Sequence, residues 1–382
     1  MDKNIFKEKV SLYSLAKWTN GLAYKDIHFS SKGVPIIKIA ELKNGITAQT
    51  NYTNGIFSDS LKLHYDDLLF SWSGNPDTSI DIFRYRLENG WLNQHIFKVE
   101  PFINKDYFYY LMKSLKPTFV HMASNKQTTG LGHVTISDLK RLEVRLHNES
   151  EQQHIVDILG TLDDKIENND KIIKEISYLI QLKFENLIRK NKTEEKLLTD
   201  IFSFQEGPGI RNWQYVDKGI NFINIRCINN GDIDTSSMNK ISDDEAVGIY
   251  KHFLLKEWDL VMSMSGTLGR YAIVRKEHLP LCLNTSVIRF YPKDDFSYFS
   301  YMYAYLTSEN FITSITLLAN GSAQQNVGPT HLKKIRINVP TSETIQDFHQ
   351  KVFPLIQRII SLRSDNQKIN ELKNLYLKKF FG

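Results

Sequence analysis

The chain has 382 residues, 41% hydrophobic and 12% aromatic, with a formal net charge of +5. That length exceeds one ordinary compact domain, and 22 Phe with 18 Tyr exclude disorder as the main state. The mild basicity permits nucleic-acid binding without requiring it.

The first ten residues, MDKNIFKEKV, are charged from the second position and lack the apolar core of a signal peptide. No apolar run approaches the ~20 residues of a membrane span. The expectation is a soluble cytoplasmic protein. Cys227 and Cys282 lie in apolar strand-like runs, too few for a disulfide framework or zinc cluster, and read as small buried hydrophobes.

Residues 33–45 (GVPIIKIAELKNG) then introduce an internal repeat, since residues 219–231 (GINFINIRCINNG) follow the same pattern about 190 residues later. Ile36, Ile37 and Ile39 make a β-branched run that predicts a strand ending in an Asn-Gly turn. Residues 67–74 (DLLFSWSG) match 259–266 (DLVMSMSG), each a short apolar strand closed by Ser-Gly. Residues 92–101 match 283–292, and 138–142 match 331–335. Between them, 106–113 and 298–306 are aromatic-rich and predict helices. Each copy reads as a mixed α/β globule.

A different segment closes each copy. From Ser150 to about Arg189 there is no proline, and apolar residues fall at a 4-3 spacing: Ile155, Leu159, Leu162, Ile166, Asn169, Ile173, Ile176, Ile180, then Leu187. That is a coiled-coil seam, with Ser150 and Gln153 in a capping-box pattern. A similar stripe runs through Val352, Leu355, Ile359, Leu362, Asn366, Ile369, Leu372, Leu375 and Phe380, with Pro354 predicting a kink or late start. One stripe alone fits a helix packed on its own domain; two of like length, each closing a repeat, fit pairing with each other. A pseudo-twofold axis would make them antiparallel, each ~57 Å long at ~1.5 Å per residue. Asn169 and Asn366 fall near the seam centres, where they either fix register or mark where the seam drifts outward.

The predicted fold class is therefore α/β (α+β): two pseudo-twofold-related mixed α/β domains, 1–148 and 193–341, separated by helices 149–192 and 342–382 in a two-helix coiled coil. Two similar globules held apart suit a duplex read at two dissimilar half-sites.

The repeat order, the Asp-Leu-x-x-Ser-x-Ser-Gly strand, and the Asp-Leu-Lys-x-Leu segment feeding a Glu-Gln helix resemble type I restriction-modification specificity subunits over essentially the whole chain. The resemblance implies two target-recognition domains, helices that act as a ruler, and docking of two methyltransferase subunits. Those partners would carry S-adenosylmethionine, a translocase-nuclease subunit would use ATP and Mg, and this chain would bind no cofactor. The second copy continues Gly266-Thr-Leu-Gly-Arg270, as the family often does. The first has Gly74-Asn-Pro-Asp-Thr-Ser79 instead.

Base reading needs Arg, Lys, Asn, Gln or Ser on loops that enter a groove, and phosphate contact needs cations. The polar loop 124–130 supplies Asn125, Lys126, Gln127 and Thr128; its counterpart 320–326 supplies Gln324, Gln325 and Asn326. Lys38, Ser73, Arg211, Arg226, Ser265, Thr267 and Arg270 complete the candidate DNA-binding set. Lys140, Arg141, Lys333 and Lys334 fit phosphates or a solvated face, and Trp72 fits the core or DNA. No catalytic residue is expected. An adenine methyltransferase needs Asn/Asp-Pro-Pro-aromatic, and the nearest string, at residues 75–78, lacks the second proline; no Gly-x-x-x-x-Gly-Lys-Ser/Thr loop occurs. Asp163 and Asp164 read as solvated helix acids. The rivals are a DNA reader from a related phage-defence or type II fused system, and a coiled-coil scaffold.

Overall fold

Two strands explain the longest apolar runs. In the computed structural model, which describes residues 6–126, 130–229, 231–236, 238–319 and 326–382, Leu68–Ser71 and Leu260–Ser263 are buried throughout. Side chains alternate along a strand, so both faces must be covered. Leu68 and Phe70 enter one core with Tyr107, Phe108 and Phe119, while Leu69 enters another with Ile36, Ile37 and Trp91. Leu260 and Met262 likewise face one core and Val261 another. Each buried Leu or Phe contributes roughly 1.5–3 kcal/mol.

The chain divides into two compact units, residues 1–166 with 368–382, and residues 167–367. The first contains an antiparallel sheet in the order Ala16–Asn20, Ile96–Pro101, Leu68–Ser71, Asp81–Arg84. A smaller sheet joins Tyr52–Thr53, Val34–Ile37, Gly90–Leu92 and Lys62–Leu63, with Ile36 opposite Trp91 in parallel. Phe6–Ser11 pairs with Glu143–His147 at the entry to the first long helix. The second unit repeats the plan. Its main sheet runs Phe202–Glu206, Val287–Pro292, Leu260–Ser263, Tyr271–Ile273, and Ile220–Phe222 lies parallel to Leu281–Cys282 in its smaller sheet. Thr193–Leu197 pairs with Arg336–Pro340 before the second long helix.

An ion pair recurs in the repeat. Asp67 accepts the backbone N–H of His64 at 2.8 Å and pairs with Lys98 at 2.9 Å. Asp259 accepts from Lys256 at 2.7 Å and pairs with Arg289 at 3.3 Å. The Asp that opens each DLL/DLV block is thus structural.

Several sequence-based expectations need correction. The run at 36–39 is not one strand: Val34–Ile37 ends, and Ile39–Asn44 is a short helix whose Glu41 accepts the Lys38 backbone N–H at 3.0 Å. The Asn-Gly turns do hold left-handed glycines, with φ of 71° at Gly45 and 75° at Gly231. The first long helix spans Glu149–Lys190, and its cap is Asn148, not Ser150. Asn148 Oδ1 accepts from Glu151 N while Glu151 Oε2 accepts from Asn148 N, both at 3.0 Å. The second long helix, Ser342–Phe381, starts before Pro354 and contains it. Burial of Val352, Ile356 and Ile359 outweighs the ~3 kcal/mol that an interior proline costs.

Within the second unit, Ile173, Ile180, Phe184 and Leu187 of the first long helix share a core with Phe348, Val352, Ile356, Ile359 and Leu362 of the second. Globule residues Phe202, Phe299 and Tyr301 belong to the same core, so the stripe packs on its partner helix and on its own globule together. Asn169, fully buried, donates to Asn366 Oδ1 at 2.7 Å, and Asn366 donates to Asp170 Oδ1 at 2.9 Å. The seam does not drift outward there. In the first unit Leu372 and Leu375 are exposed instead, and Tyr376, Leu377 and Phe380 face the core. Asp163 is not merely solvated: it accepts from Tyr110 Oη at 2.9 Å and pairs with Lys373. Both cysteines are buried thiols, and burial pushes the Cys282 pKa up to about 12.

Candidate nucleic-acid interface

The Ser-x-Ser-Gly strand ends are held identically in the two repeats. Trp72 N donates to His95 O at 3.1 Å, and Val134 N donates to Trp72 O at 2.8 Å. In the second repeat Met264 N donates to Ser286 O at 3.3 Å, and Val327 N donates to Met264 O at 2.8 Å. These bonds bring Ser73 opposite His133 and Ser265 opposite Asn326. The end of each polar loop is thereby set beside a Ser-Gly turn far away in sequence. Gln127, Thr128, Gln324 and Gln325 lie outside the described residues.

The turn that follows differs between copies. In the second, buried Ser263 organises it: its hydroxyl donates to Thr267 O at 2.5 Å and accepts from Arg270 N at 2.9 Å. Gly269 takes a φ of 79°, and a Cβ there would meet Ile312 Cδ1 at 2.6 Å, so the glycine at this position is a backbone requirement. In the first copy, Pro76–Ser79 is a helical turn capped by Asn75, whose Oδ1 accepts from Thr78 N at 3.1 Å. The residue equivalent to Ser263 is Ser71, whose buried hydroxyl has no partner among the described residues. The turns differ, and the repeated serine makes the two turn bonds in one copy only.

Two candidates in the second unit form one polar chain with two asparagines that sequence reasoning missed. Arg270 donates to Asn229 Oδ1 at 3.4 Å, Asn229 donates to Arg226 O at 3.0 Å, and Arg226 donates to Asn239 Oδ1 at 2.9 Å. These bonds hold two guanidinium groups on neutral amide carbonyl oxygens. In the first unit Lys43, which aligns with Asn229, bonds Thr78 O. Burial, with Lys116 nearby, lowers its pKa despite Asp81. Its position in the repeat was the available signal.

Other candidates are placed differently. Lys126 is tied to Asp138 at 2.5 Å, and that carboxylate also accepts from Thr135 N at 2.8 Å. Burial raises the Asp138 pKa, but these bonds outweigh it and hold the group below its usual range. Lys126 therefore serves first as a structural counter-ion. Asn125, exposed, caps its helix beside His121 at 3.1 Å. Lys38 Nζ lies 5.6 Å over the Phe29 ring. Arg211 is exposed before the turn Asn212–Gln214, and its guanidinium has no partner among the described residues. Trp72 is half-buried, stacked on Phe97 at 5.7 Å, with Nε1 donating to Asn20 at 3.2 Å, which is the core reading. Among the described residues no acidic, His and Cys cluster could hold a metal ion, and no helix is long and apolar enough to cross a membrane.

Two tandem mixed α/β domains, each followed by a long helix and each presenting cations and amides on loops, define a class of proteins built for recognition. Comparison with known proteins makes the class specific. The family described as "Type I restriction modification DNA specificity domain" matches residues 7–178 and 190–378, and the chain belongs to that family. It is a specificity subunit, the non-catalytic component of its system. It is 21% identical to the Type I restriction enzyme EcoBI specificity subunit of Escherichia coli, over 96% of this chain and 83% of that one. The type I restriction-modification S subunit from M. genitalium shares the fold, with a TM-score of 0.52 at 16% identity, covering 100% of this chain and 97% of that one. The HsdS subunit of Thermoanaerobacter tengcongensis also matches, with a TM-score of 0.35 at 13% identity and coverage of 98% and 96%.

Proposed function

We propose that this chain gives a type I restriction-modification complex an asymmetric two-part DNA target. Residues 1–148 read one half-site and residues 193–341 the other. Helices 149–192 and 342–382 set the gap and dock two methyltransferase subunits. S-adenosylmethionine belongs to those subunits, and ATP with Mg to a translocase-nuclease subunit, all in the cytoplasm. The observation that carries this reading is the repeated strand-end frame, Trp72 with Val134 and Met264 with Val327, holding loops of different sequence. A common frame with dissimilar contact groups is what two dissimilar half-sites require. Arg226, Arg270, Thr267 and Ser265 are the proposed contacts of the second domain, with Asn326 beside them. Ser73, Lys38 and Asn125 are those of the first, and Arg211 contacts phosphate.

Co-expression with the neighbouring methyltransferase subunit in a host lacking adenine methylation, followed by single-molecule mapping of methyladenine, tests the proposal. One two-part motif with a fixed gap supports it, and exchange of residues 1–148 should then change one half alone. A continuous motif would overturn the two-domain reading. No methylation by a soluble, associated pair would favour a scaffold or another defence system.

A further inference from the structure

Each repeat carries a short helical turn leading into its smaller sheet, Asp26–His28 in the first and Asn212–Gln214 in the second. Both are closed in the same way by a cation's backbone. Lys25 N donates to His28 Nδ1 at 3.0 Å, and Arg211 N donates to Gln214 Oε1 at 2.8 Å. The closure turns the middle residue out. That residue is Ile27, 86% exposed, in one copy and Trp213, 79% exposed, in the other.

A second loop braces each tip and adds apolar surface. Phe57 packs on Tyr24 at 5.0 Å and on His28 at 5.7 Å, and its neighbour Ile56 is 96% exposed. In the second unit Gln214 donates to Glu245 Oε1 at 2.8 Å and to Tyr250 Oη at 3.1 Å, between which Val247 and Ile249 are exposed. A lone exposed apolar residue is ordinary. Here one stands at the same capped position, two residues beyond a cation, in both copies of a diverged repeat, with Asp26 between in the first and Asn212 in the second. Both tips also adjoin the candidate contacts. Lys38 lies over Phe29, which ends the first turn, and the Asn239 partner of Arg226 sits on the strand paired with Tyr215–Val216, which follows the second.

We propose that Ile27 and Trp213 are apolar wedges, each pressing on and partly unstacking one base step of its half-site, with Lys25 and Arg211 on the flanking phosphates. The inference rests on the chain being a duplex reader and names how it engages the duplex. A base face is the apolar surface that DNA offers once a step opens, and an inserted aliphatic or aromatic side chain covers it. A cation at the foot of the wedge meets the nearest phosphate as the step opens. Positive charge beside each tip is what selects DNA over an apolar protein surface.

The full chain is used to select binding sites from a random duplex pool, and the enriched duplex is then made with 2-aminopurine at successive positions. Wild-type protein should brighten one position in each half-site. Trp213→Ala should abolish one of the two signals and weaken binding about tenfold. Trp213→Phe should keep the signal, and Ile27→Ala should remove only the other. Enrichment of a duplex motif with no brightening, or variants indistinguishable from wild type, overturns the wedge and leaves DNA recognition standing. If the wild-type chain enriches no motif, the DNA reading falls and the wedge with it.

Discussion

Arg275→Met removes a buried cation that ties the second globule to its long helix. The Arg275 side chain is only 2% exposed. Its guanidinium donates to Asp232 Oδ2 at 3.1 Å, Ser364 Oγ at 3.1 Å and Gln367 Oε1 at 2.9 Å. Methionine keeps the apolar stem and strands those acceptors. Burial raises the Asp232 pKa, but the His278 hydrogen bond and the Arg275 charge reverse this and hold it below the usual range. Breaking a buried pair costs ~3–5 kcal/mol, and the 27% exposure of Asp232 lets water relieve part of it. The expected loss is ~3 kcal/mol, roughly a 100-fold change in the unfolding equilibrium. Urea unfolding followed by tryptophan emission measures it, with hydrogen exchange of residues 271–278 and 360–367 locating it. Asp232→Asn in the methionine background should recover part of the loss by removing the stranded charge. A change below ~1 kcal/mol, with exchange unaltered at both segments, would refute the assignment of Arg275 as a tie.

Ser263→Ala should destabilise by ~1–2 kcal/mol, because two turn bonds lose their partner, whereas Ser71→Ala should cost nothing; equal shifts in thermal melts would contradict the stranded-hydroxyl account. Burial lowers the pKa of His147 and of His349 below the ordinary 6.5, so each takes up its proton at lower pH in the folded chain than in the unfolded one. The unfolded chain takes up protons below about 6.5 that the folded chain refuses, so stability held at neutral pH falls as pH drops toward the lowered folded values. Urea midpoints at pH 7.5 and 5.5 should show the loss, and His147→Gln should shrink it. Arg270→Ala should relax base preference in one half of the methylation motif at a cost of ~1–3 kcal/mol, while Lys333→Ala should weaken binding to all duplexes alike; the reverse pattern would reassign both residues.

The repeat and the long helices were legible because their physics is periodic. Ile155, Leu159, Ile173 and Ile180 lie where the 4-3 spacing puts them, in the buried seam. The helix ends were not legible to that precision. Ser150 and Asn148 are both good caps, and only the pairing of Glu151 with Asn148 decides between them. Leu372 and Leu375 continue the pattern on paper, but the aromatic end of that helix turns Tyr376 and Phe380 to the core. Lys126 looked like a contact residue because composition cannot show the Asp138 carboxylate beside it. Asn229 and Asn239 could not be chosen from the sequence, since their role depends on which strand ends meet. Ile27 and Trp213 were hidden among ordinary hydrophobes until exposure separated them.

The four backbone bonds at Trp72 and Met264 involve no side-chain atom. A main-chain frame is indifferent to which residues the neighbouring loops carry, provided their lengths allow closure. Mutation can therefore rewrite the vocabulary of one half-site without disturbing the scaffold that presents it, and without touching the other half. Ser71, buried with no partner among the described residues, shows the same separation: its strand matches that of Ser263, while the turn beyond it differs and leaves the hydroxyl without the two bonds Ser263 makes.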